Sequence, residues 1–139
     1  MKIFSLITLG LVVSVLGSSP TETRGEEPKL VSLDQLAGKY DGKMLIHSNV
    51  QREYSFQLEV VSIDKEASTI SLVGYCQDCE NKEFRRNKCK IMQVAEIIKF
   101  VCRKKNSSDE EFTFNGEKLQ GYGYASKFPH TINVIKVPN

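Results

Sequence analysis

The residues of this chain best suited to chemistry are four cysteines, two histidines and a basic stretch near its middle. Cys76, Cys79, Cys89 and Cys102 are even in number, and in an exported chain an even set points to disulfides. Three pairings are open. The strand register described below supports Cys89 with Cys102, leaving Cys76 and Cys79 to close a CxxC loop. A nested arrangement instead joins Cys76 to Cys102 and Cys79 to Cys89. A structural zinc site wants two closely spaced ligand pairs; Cys89 and Cys102 are well separated and both histidines are remote, so no metal is expected. Redox CxxC motifs open a helix whose dipole lowers the thiol pKa. Here Cys76-Gln77-Asp78-Cys79 follows a strand pattern and precedes a charged loop, and all four cysteines read as structural.

Acid–base chemistry has few candidates. His47 falls on the polar face of its strand and His130 follows Pro129 in a segment that reads as a loop, so both read as solvated. Asp109, Glu110 and Glu111 adjoin Asn106-Ser107-Ser108 and read as an exposed charged loop. No Gly-x-Ser-x-Gly elbow, His-Glu-x-x-His helix or phosphate-cradling glycine loop occurs. Neither an enzyme nor a cofactor is expected.

Binding chemistry leaves two traces. Between Lys82 and Lys105 stand Lys82, Arg85, Arg86, Lys88, Lys90, Lys99, Arg103, Lys104 and Lys105, opposed only by Glu83 and Glu96. In a hairpin, Lys88, Lys90, Lys99 and Arg103 share the outward face, a footprint for an anionic glycan, lipid headgroup or acidic protein, or simply a solubilising surface. The second trace is Gly121-Tyr122-Gly123-Tyr124. If Tyr122 and Tyr124 point outward they form an aromatic platform; if inward, they are core. Glycine in a strand also permits the sharp bending of a small barrel. The formal charge of +2 supports no global electrostatic role, and nucleic acid is not an expected partner. In a eukaryotic secretory route Asn106-Ser107-Ser108 is an N-glycosylation acceptor.

The elements that must carry these residues show period-two alternation, the signature of half-buried strands. Tyr40, Met44 and Ile46 share one face; Tyr54, Phe56, Leu58 and Val60 another; then Ile70 with Leu72, and Phe112 with Phe114. Asp64-Lys65-Glu66-Ala67 reads as a hairpin loop and Asn115-Gly116 as a tighter turn. Residues 118–126 and 131–137 supply the last strands. Residues 90–102 admit two readings. Ile91, Val94, Ile98 and Val101 have helical spacing, while a hairpin about Ala95-Glu96 sets Cys89 opposite Cys102, Ile91 opposite Phe100 and Gln93 opposite Ile98. The hairpin is preferred, although Ala-Glu is poor chemistry for a two-residue turn. The expectation is an all-β domain, an antiparallel meander barrel or barrel-like sandwich of about seven or eight strands, with a short helix around 91–101 as the alternative.

At the entry to the first strand, Leu36-Ala37-Gly38-Lys39-Tyr40 resembles the Gly-x-Trp opening of lipocalin-like and avidin-like secreted barrels, with tyrosine in place of tryptophan. The resemblance covers these few residues and the strand meander. It implies a calycin-type barrel; such families hold small apolar ligands or biotin inside, and it carries over no binding residue here.

Residues 1–19, with Lys2, an apolar run from Ile3 to Leu16 and small residues Gly17, Ser18 and Ser19, have the layout of a cleaved signal peptide. The run is shorter than the roughly 20 apolar residues of a membrane span. Residues 20–29 read as a flexible linker and 30–139 as one domain. The protein is therefore expected outside the cytoplasm, extracellular or, in a bacterium, periplasmic. Its expected function is that of a non-catalytic binding module for a small molecule, glycan or anionic surface. The alternative is a disulfide-stapled inhibitor of a hydrolase acting through protein–protein contact. Ligand identity and oligomeric state are open at this level.

Overall fold

The computed structural model describes residues 29–80, 82–104, 108–125 and 127–138. The expected signal peptide, most of the linker and the Asn106 acceptor lie outside the described residues. One helical turn, α1 (Leu33–Leu36), precedes eight strands: β1 (Gly38–Ile46), β2 (Arg52–Asp64), β3 (Thr69–Cys76), β4 (Glu83–Val94), β5 (Ile98–Cys102), β6 (Glu110–Phe114), β7 (Lys118–Ala125) and β8 (Phe128–Lys136). Each strand pairs antiparallel with the next, and β1 pairs with β8, closing the meander into a barrel. Closure leaves no sheet edge open to pair with another chain. At the seam the backbones approach so closely that a Cβ on Gly42 would lie 2.0 Å from the carbonyl oxygen of Asn133.

The alternating residues face inward as their period requires. Tyr40, Met44, Phe56, Leu58, Val60, Ile70, Leu72, Phe112 and Phe114 are all buried. One end of the barrel is packed solid. Val31 and Leu36 close over it, the Tyr40 hydroxyl donates to the Leu36 carbonyl at 2.6 Å, and the Tyr40 ring meets Phe114 edge-on with centroids 5.9 Å apart. Burial pushes the Tyr40 phenol well above its ordinary pKa, which keeps the hydroxyl a donor. Phe100 and Phe112 stack at 5.0 Å.

Residues 90–102 form the hairpin and not the helix. Ile91 does pair with Phe100, but the turn takes three residues, Ala95, Glu96 and Ile97, and the register slips near Met92, so that Gln93 faces Lys99 and Val94 faces Ile98. The reason is the turn chemistry: Ala-Glu does not readily take the positive φ values of a two-residue loop. At Asn115-Gly116 only Gly116 adopts positive φ, at 105°. Asn115 instead caps the turn, its side-chain oxygen accepting from the amides of Glu117 and Lys118 at 3.0 and 2.8 Å. The last strand begins at Phe128, three residues before the expected Thr131.

Candidate functional site

Opposite the packed end the barrel is hollow. A cavity of about 510 Å³ is walled by apolar side chains that include Met44, Tyr54, Phe56, Leu72, Phe84 and Ile132, and it also receives Arg86, Lys104, Glu110 and His130. Strand phase puts the polar residues there. His130 is in step with Ile132 and Val134 on β8, and Glu110 with Phe112 and Phe114 on β6, so the backbone that buries the hydrophobic residues buries these two as well, at 4% and 3% exposure.

Register then brings them together. Gly123 on β7 pairs with His130, and Phe112 pairs with Gly121, which sets Glu110 beside Gly123 on its other flank. A Cβ on Gly123 would lie 2.6 Å from Glu110 Cγ. The missing side chain is the opening through which Glu110 Oε2 reaches His130 Nε2, 3.1 Å away. From the other side Arg86 Nε donates to Glu110 Oε1. Arg86 also gives Nη1–H to the Arg85 carbonyl at 3.0 Å and has its guanidinium carbon 5.9 Å from the centre of the Phe84 ring. Lys104, just beyond β5, donates its ammonium to the Tyr124 carbonyl.

Burial alone would push the Glu110 carboxyl up. Hydrogen bonds from His130 and Arg86, with the charges of Arg86 and Lys104, outweigh burial and hold it below the usual carboxylate range. Glu110 is therefore an anion at neutral pH. Burial holds Lys104 below the ordinary lysine value; Glu110 opposes that shift and Arg86 adds to it. An ionised carboxylate only accepts, so the proton between Glu110 and His130 sits on Nε2. Nδ1 of His130 is buried with no hydrogen-bond partner among the described residues.

These positions correct two expectations. His130 is not a solvated loop residue but a buried strand residue, because β8 starts earlier than the Pro129 boundary suggested. Glu110 is not part of an exposed acidic loop; its neighbours Asp109 and Glu111 are exposed, and Glu110 alone points inward. His47 is half-buried beyond β1, its Nε2 3.2 Å from Thr131 Oγ1. The cysteines pair as Cys76–Cys79 and Cys89–Cys102, the arrangement supported by the hairpin register. Cys89–Cys102 ties β4 to β5 in the core, while Cys79, with Glu80, lines the cavity. Two disulfides suit an oxidising compartment.

The other expected surface residues do not join this site. Lys88, Lys90, Lys99 and Arg103 are exposed on the outside of the barrel. Tyr122, 51% exposed, and half-buried Tyr124 also point outward, edge to face with centroids 6.3 Å apart, while Gly121 and Gly123 face inward. Among the described residues no group of three His, Cys, Asp or Glu side chains could hold a metal ion, and no helix is long and apolar enough to cross a membrane. Comparisons with protein-family models, with curated protein sequences and with solved structures return no match.

Proposed function

We propose that this protein is a secreted, non-catalytic carrier that takes a small amphipathic molecule into the open half of its barrel. The observation that carries this reading is the hollow itself. Its volume of about 510 Å³ falls within the roughly 300–1,000 Å³ of small-molecule sites, which typically pair apolar walls with a few convergent polar groups. The buried polar cluster at one side supplies orientation, and the apolar rings supply most of the contact area. The leader-like residues 1–19 and the two disulfides support secretion. The interior position of the charged groups favours a small ligand over an enzyme partner, which would be gripped by exterior loops.

Filling the hollow tests the proposal. Leu72→Trp places added bulk among its lining residues, with a stability cost of about 1–3 kcal/mol. Native mass spectrometry and titration with a polarity-sensitive fluorophore are expected to show a ligand retained by the parent protein and lost from the folded variant. Equal binding by both proteins would rule out the interior site.

A further inference from the structure

Resting on the interior-ligand reading, we infer that the head of the ligand is a carboxylate, received by Arg86 and Lys104 beside His130. The hydrogen-bond inventory of the hollow carries this assignment. Both oxygens of Glu110 are engaged, Oε1 by Arg86 and Oε2 by His130. Glu110, the one buried acidic group among the described residues, is thereby already matched by donors and is a poor receptor for an incoming amine. The cavity also touches Glu80, but that residue is exposed at the rim, where water screens it.

Donors are in surplus. A guanidinium has five N–H groups and an ammonium three. Among the described residues, Arg86 uses Nε and one N–H of Nη1 inside the protein, leaving Nη2 without a protein acceptor, and Lys104 uses a single donor, to the Tyr124 carbonyl. Two cations therefore surround one buried carboxylate. A second carboxylate entering the hollow would balance the charge and accept the unused donors, in the charge-assisted geometry that guanidinium groups favour.

With His130, the hollow is lined by Glu110 from β6, Arg86 from β4 and Lys104 beyond β5, and by apolar Met44 and Ile46 on β1 and Ile132 on β8. The body of the ligand then lies against Met44, Tyr54, Phe56, Leu72 and Ile132.

A head-group series on one body tests the inference with the intact mature protein. Dodecanoate, dodecanol and dodecylamine share their chain and differ only at the head. In calorimetric titrations at neutral pH, dodecanoate is expected to bind roughly tenfold or more tightly than either analogue. In Arg86→Gln the preference should shrink to roughly threefold or less, through weaker dodecanoate binding with dodecanol unchanged. Lys104→Met gives the same readout from a partly exposed position should Arg86→Gln fail to fold. Binding of dodecanol or dodecylamine as tight as that of dodecanoate would overturn the head-group assignment and leave the interior-ligand reading standing. Failure of all three to bind would overturn both.

Discussion

Glu110 illustrates how a single buried charge becomes a pH-dependent part of the fold. Its folded-state pKa lies below the unfolded value because the bonds from His130 and Arg86 and the charges of Arg86 and Lys104 outweigh burial. A depressed carboxylate stabilises the folded state at pH values above its unfolded pKa, and that contribution disappears as pH falls through the folded pKa. Glu110→Gln should therefore lose about 3 kcal/mol at pH 7, since it removes one partner of a buried ion pair. It should also flatten the loss of stability below about pH 4. Urea unfolding at pH 7 and again in acid checks both parts. Parallel acid limbs for the parent and the variant would show that Glu110 is not the group responsible.

At the level of the strand, whether a polar residue is found from sequence depends on how far its alternation can be followed. Phe56, Leu58 and Val60 announce β2 because hydrophobic type and position agree. His130 and Glu110 occupy the same kind of position, but their type argues for solvent and the adjacent Pro129 and Asp109 argue for loops. Extending the phase of Ile132 and Val134 back two residues would have found His130, and extending Phe112 and Phe114 back two would have found Glu110. Arg86 was not legible by that route. On β4, Cys89 and Ile91 face inward, and strict alternation from them would turn Arg86 outward. The pairing with β3 shifts between Ile70 and Leu72, which pair with Cys89 and Arg86. Asn87 and Lys88 thus face the single Ser71, a bulge in which two residues oppose one, and the Lys88 amide donates to Ser71 Oγ at 3.1 Å. That extra residue switches the phase and aims Arg86 into the barrel.

The bulge places Lys88 at φ 56°, a conformation that costs a residue with a Cβ about 1–2 kcal/mol. Lys88→Gly is expected to stabilise the protein by about 0.5–1 kcal/mol, and Lys88→Val to destabilise it by about 1–2 kcal/mol. Thermal unfolding of the two variants should move in opposite directions. A shift in the same direction for both would mean that the backbone at this position is not held left-handed.

Across the whole molecule, the packed core and the hollow lie toward opposite ends of one barrel. The closed end carries Leu36, Tyr40 and Phe114 in contact, whereas the open end gives up packing to enclose a hollow and four polar side chains. The two disulfides divide in the same way. Cys89–Cys102 spans 13 residues and is buried between β4 and β5, while Cys76–Cys79 spans 3 and lies where Cys79 forms cavity wall. Cross-links stabilise chiefly by restricting the unfolded chain, more so for longer loops, so the first bridge should contribute about 3 kcal/mol and the second about 2. The paired variant Cys89→Ala/Cys102→Ala, which also vacates buried volume, should show the larger fall in denaturation midpoint, with ligand retained by the molecules that remain folded. Cys76→Ala/Cys79→Ala should unfold closer to the parent but release ligand faster, because the bridge that fixes this part of the wall is gone. Midpoints from guanidinium titration and dissociation rates by stopped-flow fluorescence measure the two effects separately. Unchanged dissociation from the Cys76/Cys79 variant would mean that ligand exchanges without passing that bridge, and that the entrance lies elsewhere on the open rim.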